Sequence, residues 1–340
     1  MRATRTRRTS RVRMVEVARQ AGVAPVTVSR VLHTPDKVAP ETRVRVEGVI
    51  RELGYVPNLV AQSLVVARTG IVAALIPTID NSLHAEIIQA MNERCRAARL
   101  HLLLGCTNFS VEEEEEMVRS FLARQPEAVY LTGITHSAAT RTMLVASGLP
   151  VVEVANLPSE PIDMAAGYSS LRAAGAMMRQ LIATGRRRIA YVHSPIGAND
   201  RLADRLRGYG SALEAAGLAA DPAQIVETEL SIGGGAAGLR TLLERQVEVD
   251  AIFCSTDVLA VGVLLECQRC GLSVPAQVAV AGFDDLPIAG EIVPALTTVR
   301  IPRRRMGEEA ARLILTRLEG GEPDQPVVDV GFEIVRRASA

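Results

Sequence analysis

The sequence predicts an all-α helix-turn-helix head followed by an α/β core of two parallel-sheet lobes, and three observations predict it. Positive charge is gathered at one end: residues 1–68 carry 13 basic and 5 acidic side chains, a net +8, although the whole chain balances to zero. Two short stretches with helical apolar spacing lie about three residues apart within that basic end. From residue 70 onward, apolar runs of strand length alternate with amphipathic runs of helix length, the pattern of parallel sheets covered by helices on both faces.

In the head, residues 14–22 (MVEVARQAG) put Val15, Val17, Ala18 and Ala21 on one helical face, and Gly22 ends the helix. The stretch VAPVTVSRVL then starts a second helix at Pro25, where a missing N–H costs nothing. An interval of about three residues lets two helices cross steeply and pack as a helix-turn-helix. A third helix is expected over 40–53, with Val44, Val46, Val49, Ile50 and Leu53 as its apolar contacts and Gly54 as its stop. These helices, 14–57, make a small head with a Val- and Ala-rich core, only marginally stable alone. Residues 58–69 form a linker that can be helical through Val65 but encloses no core of its own.

The core, 70–340, reads as strands at 71–76, 100–104, 128–131 and 150–154 with helices at about 84–99 and 112–124. The alternation resumes with helices at about 171–184, 201–216, 235–245, 258–270 and 303–319 and strands at 189–193, 224–227, 251–254 and 278–281. That is too many strands for one sheet, so two lobes are expected: about 70–166 plus 286–299, and about 167–285 plus 300–335. A ligand site belongs in the crevice between them, at the carboxyl ends of the strands.

Composition bounds the function. The first 13 residues hold six Arg and no acid, with no apolar run behind them to act as a signal-peptide core, so they read as a flexible basic arm. No apolar stretch reaches 18 residues, so no membrane span is expected. Five cysteines, odd in number and scattered, fit a cytoplasmic location, on nucleoid DNA if the head binds it. Cys267 and Cys270 have the spacing of a redox pair or of half a zinc site, but both fall on a helix without a second pair, so buried small side chains are expected and no metal. The run SIGGGAAG at 231–238 lacks the Lys-Ser/Thr of a phosphate loop and reads as a glycine-rich loop entering a helix, with no cofactor implied. The five glutamates 112–116 read as the solvated first turns of a helix. No nucleophile, base and orienting residue assemble, so no enzyme is expected.

In a helix-turn-helix the second helix enters the major groove of duplex DNA. Arg30 can pair with guanine O6 and N7, Val26 can touch a thymine methyl, and Thr27 and Ser29 suit phosphate oxygens. Pro25 starts that helix. A basic head with two helices at this spacing points to double-stranded operator DNA as partner.

The stretch VRMVEVARQAGVAPVTVSRVLH followed by VAPETRVRVEGVIRELGYVPNLVAQSL, with STDVLAVG at 255–262, VAVAGFDDLPIA at 278–289 and PALTTVRIP at 294–302, resembles the LacI (lac repressor-like) family of transcription factors. The resemblance implies a periplasmic-binding-protein-like core, a homodimer on a near-palindromic operator, and control by a small sugar or sugar acid. Pro25, Val26 and Arg30 match base-reading positions. Tyr55, Pro57 and Asn58 match the junction with a hinge helix at 58–65 containing Ala61, and Leu64 matches the apolar wedge that enters the minor groove. In the core, Arg205 and Asp284 match effector-binding positions, and Thr256 stands where an asparagine is usual. Residues 77–84 match a loop that supplies aromatic side chains in several members; Ser82, Leu83 and His84 stand there in this sequence, which argues against stacking on a planar base. The stretches near 253–262, 266–272, 281–283 and 305–307 are most like the gluconate-utilisation repressors of that family, which implies gluconate or a related sugar acid.

A sugar acid needs a cation for its carboxylate and acceptors for its hydroxyls. Arg205 can supply the first, Asp284 and Glu153 the second, and Tyr168, His136 and His193 are further candidates for the cleft. The chain stops at VGFEIVRRASA with no heptad tail, so a dimer is expected. A corepressor-bound, purine-type regulator and a sugar-binding protein without a DNA role are the alternatives.

Overall fold

The computed structural model describes residues 12–56, 69–79 and 82–340, without the side chains of Ser82 and Leu83. Most of the expected arm, together with Pro57, Asn58, Ala61, Leu64 and the Ser82 side chain, lies outside the described residues. The chain divides into two compact units, Met1–Thr69 and Gly70–Ala340.

Among the described residues the head has three α-helices: α1 (Met14–Ala21), α2 (Pro25–His33) and α3 (Pro40–Leu53). The backbone N–H of Arg13 donates to the Glu16 carboxylate at 2.9 Å, satisfying a donor at the start of α1. Gly22 and Gly54 close α1 and α3 in the left-handed conformation, as the sequence predicts. Val17, Ala18, Ala21, Val28, Val31 and Val46 form the core, and Tyr55 joins them at 8% exposed. Tyr55 thus packs the head, a role that its assignment to the DNA junction did not include.

The core holds two six-stranded sheets. The first contains β1 (Ile71–Ile76), β2 (His101–Cys106), β3 (Ala128–Thr132), β4 (Val151–Ala155), β5 (Met164–Gly167) and β11 (Val327–Asp329), in the order β11-β5-β4-β3-β1-β2, all parallel. The second contains β6 (Ile189–His193), β7 (Ile225–Glu227), β8 (Ala251–Cys254), β9 (Ala279–Asp284), β10 (Thr297–Arg300) and β12 (Glu333–Val335), in the order β12-β10-β9-β8-β6-β7. In that sheet only β12 runs antiparallel to its neighbour. Central strands are buried along nearly their whole length, which is why they read as largely apolar runs.

The lobes divide differently from the sequence expectation. Residues 286–299, expected in the first lobe, include most of β10, which pairs with β9 in the second. Residues 300–335, expected in the second, include α12 (Arg303–Leu318), which packs on β4 and β5, and β11, which pairs with β5, both in the first. The chain therefore passes between lobes three times, at residues 168–169, 301–302 and 330–332. The remaining helices are α4 (Ser82–Ala97), α5 (Val111–Leu122) and α6 (Ala138–Ser147) in the first lobe, and α7 (Ser170–Ala183), α8 (Asp200–Ala215), α9 (Ile232–Glu244), α10 (Asp257–Arg269) and α11 (Ile288–Glu291) in the second.

Two further expectations are corrected. The run at 231–238 is not a loop: Ser231 caps α9 by accepting from Gly234 N, and its glycines lie inside the helix. Gly235 is needed there because α9 and α10 touch backbone to backbone. A Cβ at Gly235 would fall 2.1 Å from the Leu259 carbonyl oxygen, and one at Gly262 would fall 2.0 Å from that of Ile232. Cys267 is buried as expected, but Cys270 is exposed at the end of α10. Among the described residues no His, Cys, Asp and Glu cluster could hold a metal ion, and no helix is long and apolar enough to cross a membrane.

Candidate effector cavity and DNA-reading face

On the head, Pro25, Val26 and Arg30 are exposed, with Val26 at 55%, and Thr27 and Ser29 are half-buried. Val28 and Val31 face inward from the same helix. The short helix α2 therefore turns one apolar side chain, Val26, and one guanidinium group, Arg30, to solvent.

In the core, a cavity of about 320 Å³ lies between the lobes, within the usual size range of small-molecule sites. The first lobe contributes His84 from α4 and Asn108 and Phe109 from the turn after β2. The second contributes residues that follow β6, β7, β8 and β9, among them Ser194, Arg201, Arg205, Leu230, Thr256 and Asp284. The lining thus comes from the carboxyl ends of parallel strands, where neither sheet continues and backbone and side-chain groups stay free to meet a ligand.

Arg205 stands at the floor. It donates to the Ser255 carbonyl at 2.5 Å, to the Tyr168 hydroxyl at 3.0 Å and to Asp284 Oδ1 at 3.3 Å, while its guanidinium lies 3.6 Å from the centre of the Phe283 ring. Burial pushes the Asp284 carboxyl above its ordinary range, opposed by Arg205, Arg303 and Arg201. Asp284 and Asp285 sit at the end of β9 with φ of 113° and 51°, values that cost non-glycine residues strain and persist only where surroundings impose them. Arg303 of α12 supplies part of that constraint: it donates to the Asp284 carbonyl and, at 3.2 Å, to that of Asp285.

Arg201, one helical turn before Arg205 on α8, is 7% exposed and lines the cavity. Its Nη1 contacts Asp200 Oδ1 at 3.3 Å. Asp200 in turn accepts from Ile134 N in the first lobe. Gly133, at a φ of 95° that favours glycine, brings its loop close to the guanidinium: a Cβ there would come within 2.7 Å of Arg201 Nη1. His84 is 3% exposed and its Nδ1 has no partner among the described residues. Burial first, and the Arg201 charge second, lower its pKa to about 3, so it is neutral at physiological pH.

Of the residues expected in the cavity, His84, Arg205, Thr256 and Asp284 line it. Thr256 also caps α10, accepting from Leu259 N. Four do not line it. Tyr168 is buried behind Arg205, and His193 is buried with its Nδ1 2.9 Å from the Ser194 carbonyl. Glu153 and His136 belong to a separate buried cluster in the first lobe. There His136 Nδ1 lies 2.7 Å from Glu114 Oε1 and its Nε2 lies 3.3 Å from Glu153 Oε1, and Ile162 N donates to Glu153 Oε2 at 2.5 Å. The glutamate run is thus not wholly solvated, since Glu114 is buried to meet His136.

Sequence reading missed Arg201, Asn108 and Phe109. Arg201 carried a usable signal, its i,i+4 spacing from Arg205 on one helix face. Phe109 carried a weaker one, its place just past the end of a strand. It gives the cavity a phenyl ring beside the His84 imidazole.

The His136 cluster makes a prediction. Burial works against its charge, but the hydrogen bonds and charges of Glu114 and Glu153 prevail and raise its pKa to about 9. A His raised above its unfolded value stabilises the fold fully below pH ~6.5 and loses that contribution as pH climbs through the folded value. In urea unfolding, the wild-type advantage over His136→Gln is expected to shrink by on the order of 2 kcal/mol between pH 6.5 and 9.5. A pH-independent difference would mean that the imidazole is neutral.

Two family models match the chain: "Bacterial regulatory proteins, lacI family" over residues 13–58, and "Periplasmic binding protein-like domain" over 178–340. The HTH-type transcriptional regulator GntR of Pseudomonas aeruginosa is 39% identical over 98% of this chain and 97% of its own. The chain belongs to the lacI family of bacterial regulatory proteins. GntR of Escherichia coli K12 is 33% identical over 94% of this chain and 96% of its own. A crystal structure of a LacI-family regulator from Silicibacter pomeroyi superposes with a TM-score of 0.91 at 29% identity, covering 96% of this chain and 99% of that one. This lacI-family protein is a DNA-binding transcriptional regulator and not an enzyme. Its ligand-binding core has the periplasmic-binding-protein architecture that the sequence predicts.

Proposed function

We propose that this regulator represses a sugar-acid catabolic operon and leaves its operator when gluconate or a closely related sugar acid occupies the interlobe cavity. The cavity itself carries the reading: a ligand-sized space between lobes in which two guanidinium groups, Arg201 and Arg205, meet an acceptor carboxylate, Asp284, and an uncharged imidazole, His84. Guanidinium suits a carboxylate, and the other two suit hydroxyls. The likeness to GntR proteins and the sequence resemblance to gluconate-utilisation repressors support the same class.

In this reading the protein acts on the chromosome in the cytoplasm as a homodimer. Two copies of α2 reach half-sites of a near-palindrome, Tyr55 and Asn58 hold the junction, and Ala61 and Leu64 form the minor-groove element, roles that rest on the family resemblance alone. Ligand lowers operator affinity only to the extent that it binds the released state more tightly. A purine-type corepressor is the second reading, favoured by one observation, the Phe109 ring in the cavity wall. The sign of the ligand effect separates them: gluconate added to the protein–operator complex is expected to release DNA, and guanine to have no effect. Tightening by guanine would select the second reading.

The head gives an independent test. With an operator selected from a random duplex pool, Arg30→Ala is expected to weaken binding about 5- to 100-fold. Binding to unrelated duplex should fall much less. Equal losses on both would show that Arg30 touches only phosphate.

A further inference from the structure

We infer that Arg201, and not Arg205, receives the negative charge of the ligand. This rests on the sugar-acid reading above for the ligand's class but not for the residue. The two arginines differ in what they already hold. Arg205 spends its terminal nitrogens on Ser255, Tyr168 and Asp284, its Nε is shut away from solvent without a partner, and its face is covered by Phe283. Its charge is answered by Asp284. An incoming carboxylate would have to displace that buried pair and leave Asp284 without its counterion, a costly exchange.

Arg201 is also ion-paired, to its neighbour Asp200 at 3.3 Å, but that contact is its one hydrogen bond among the described residues, against three for Arg205. That aspartate is itself engaged by Ile134 N across the cleft. The side chain also forms, with Phe109 and Asn199, the wall shared by the main cavity and a smaller one of about 30 Å³ beside it. A guanidinium offers five donors in a fixed plane, so most of this one's donors are uncommitted. Across the same cavity stands His84, whose buried Nδ1 has no partner among the described residues and, on a neutral imidazole, can exchange a hydrogen bond with a hydroxyl. The arrangement is a carboxylate receiver at Arg201 with a hydroxyl reader at His84, while Arg205 serves to hold Asp284 and Tyr168 in place.

The test is calorimetric titration of the full chain and of Arg201→Gln with gluconate, with glucitol, which keeps the carbon chain and loses the carboxylate, and with citrate and sulfate as unrelated anions. Wild type is expected to prefer gluconate to glucitol. Arg201→Gln is expected to lose about ten- to a hundredfold in gluconate affinity and no more than a fewfold for glucitol. Its melting temperature and operator binding report that it is folded. Arg201→Lys, which keeps the charge without the fork, should recover part of the loss even if the Gln variant proves unstable. Equal gluconate binding by wild type and Arg201→Gln overturns the assignment and leaves the sugar-acid reading intact. Arg201-dependent binding of another anion with none of gluconate upholds the assignment and removes gluconate. A wild-type protein that takes glucitol alone, or none of the anions, overturns both.

Discussion

Arg205→Ala is expected to lower the melting temperature of the protein by roughly 10 °C. Removing one partner of a buried pair costs about 3–5 kcal/mol, because the other charge stays buried without its counterion. In a domain of this size each kcal/mol moves the midpoint by about 2–4 °C. Here the loss falls on Asp284, whose backbone is already held at an unfavourable φ, and on the Tyr168 hydroxyl and Ser255 carbonyl, which lose their donor together. The effect belongs to the pair, so Arg205→Ala/Asp284→Ala should melt above the single variant. Scanning calorimetry of the three proteins without ligand checks this. A single variant within a degree or two of wild type would mean that Arg205 is not a structural clamp and stands free for the ligand.

Gly262→Val is expected to be at least as damaging. Its first side-chain atom would lie 2.0 Å from the Ile232 carbonyl oxygen and 2.9 Å from Ala236 N. Those are backbone atoms inside a helix, so neither can swing aside, and α9 and α10 must part. Overpacking costs typically about 1–3 kcal/mol even where side chains can adjust, and here the parted helices also loosen Leu239, Leu242, Leu259 and Val263 between them. The control is Gly210, also within a helix but with open space where a Cβ would go. Gly210→Ala should raise stability by up to about 1 kcal/mol. If both substitutions shift urea midpoints alike, the helices are not in backbone contact.

The three head helices, the strand-and-helix alternation and the parallel sheets were legible because each leaves a local period in the sequence. The lobe assignment of 286–335 was not, for a physical reason. Whether β10 sits beside β9 and β11 beside β5 is decided by contacts between distant segments, and strands of three or four residues carry no period of their own. The glycine run misled because local propensity favours a loop, whereas the pressure at Gly235 comes from a neighbouring helix and that at Gly234 from the Glu229 backbone. Glu114 was hidden among four identical neighbours; only the fold shows which one turns inward. At the cavity, Arg205 and Asp284 were legible from motif position, yet their mutual saturation was not, since it depends on Tyr168 and Ser255 arriving from other strands. The same blindness passed over Arg201.

The triple passage of the chain between lobes has a mechanical consequence. A single tether would let two bodies swing and twist at will, but three parallel straps confine them to pivoting about a common line. A protease that severs any one strap should leave both halves joined, and their capacity to open and shut together should survive the cut.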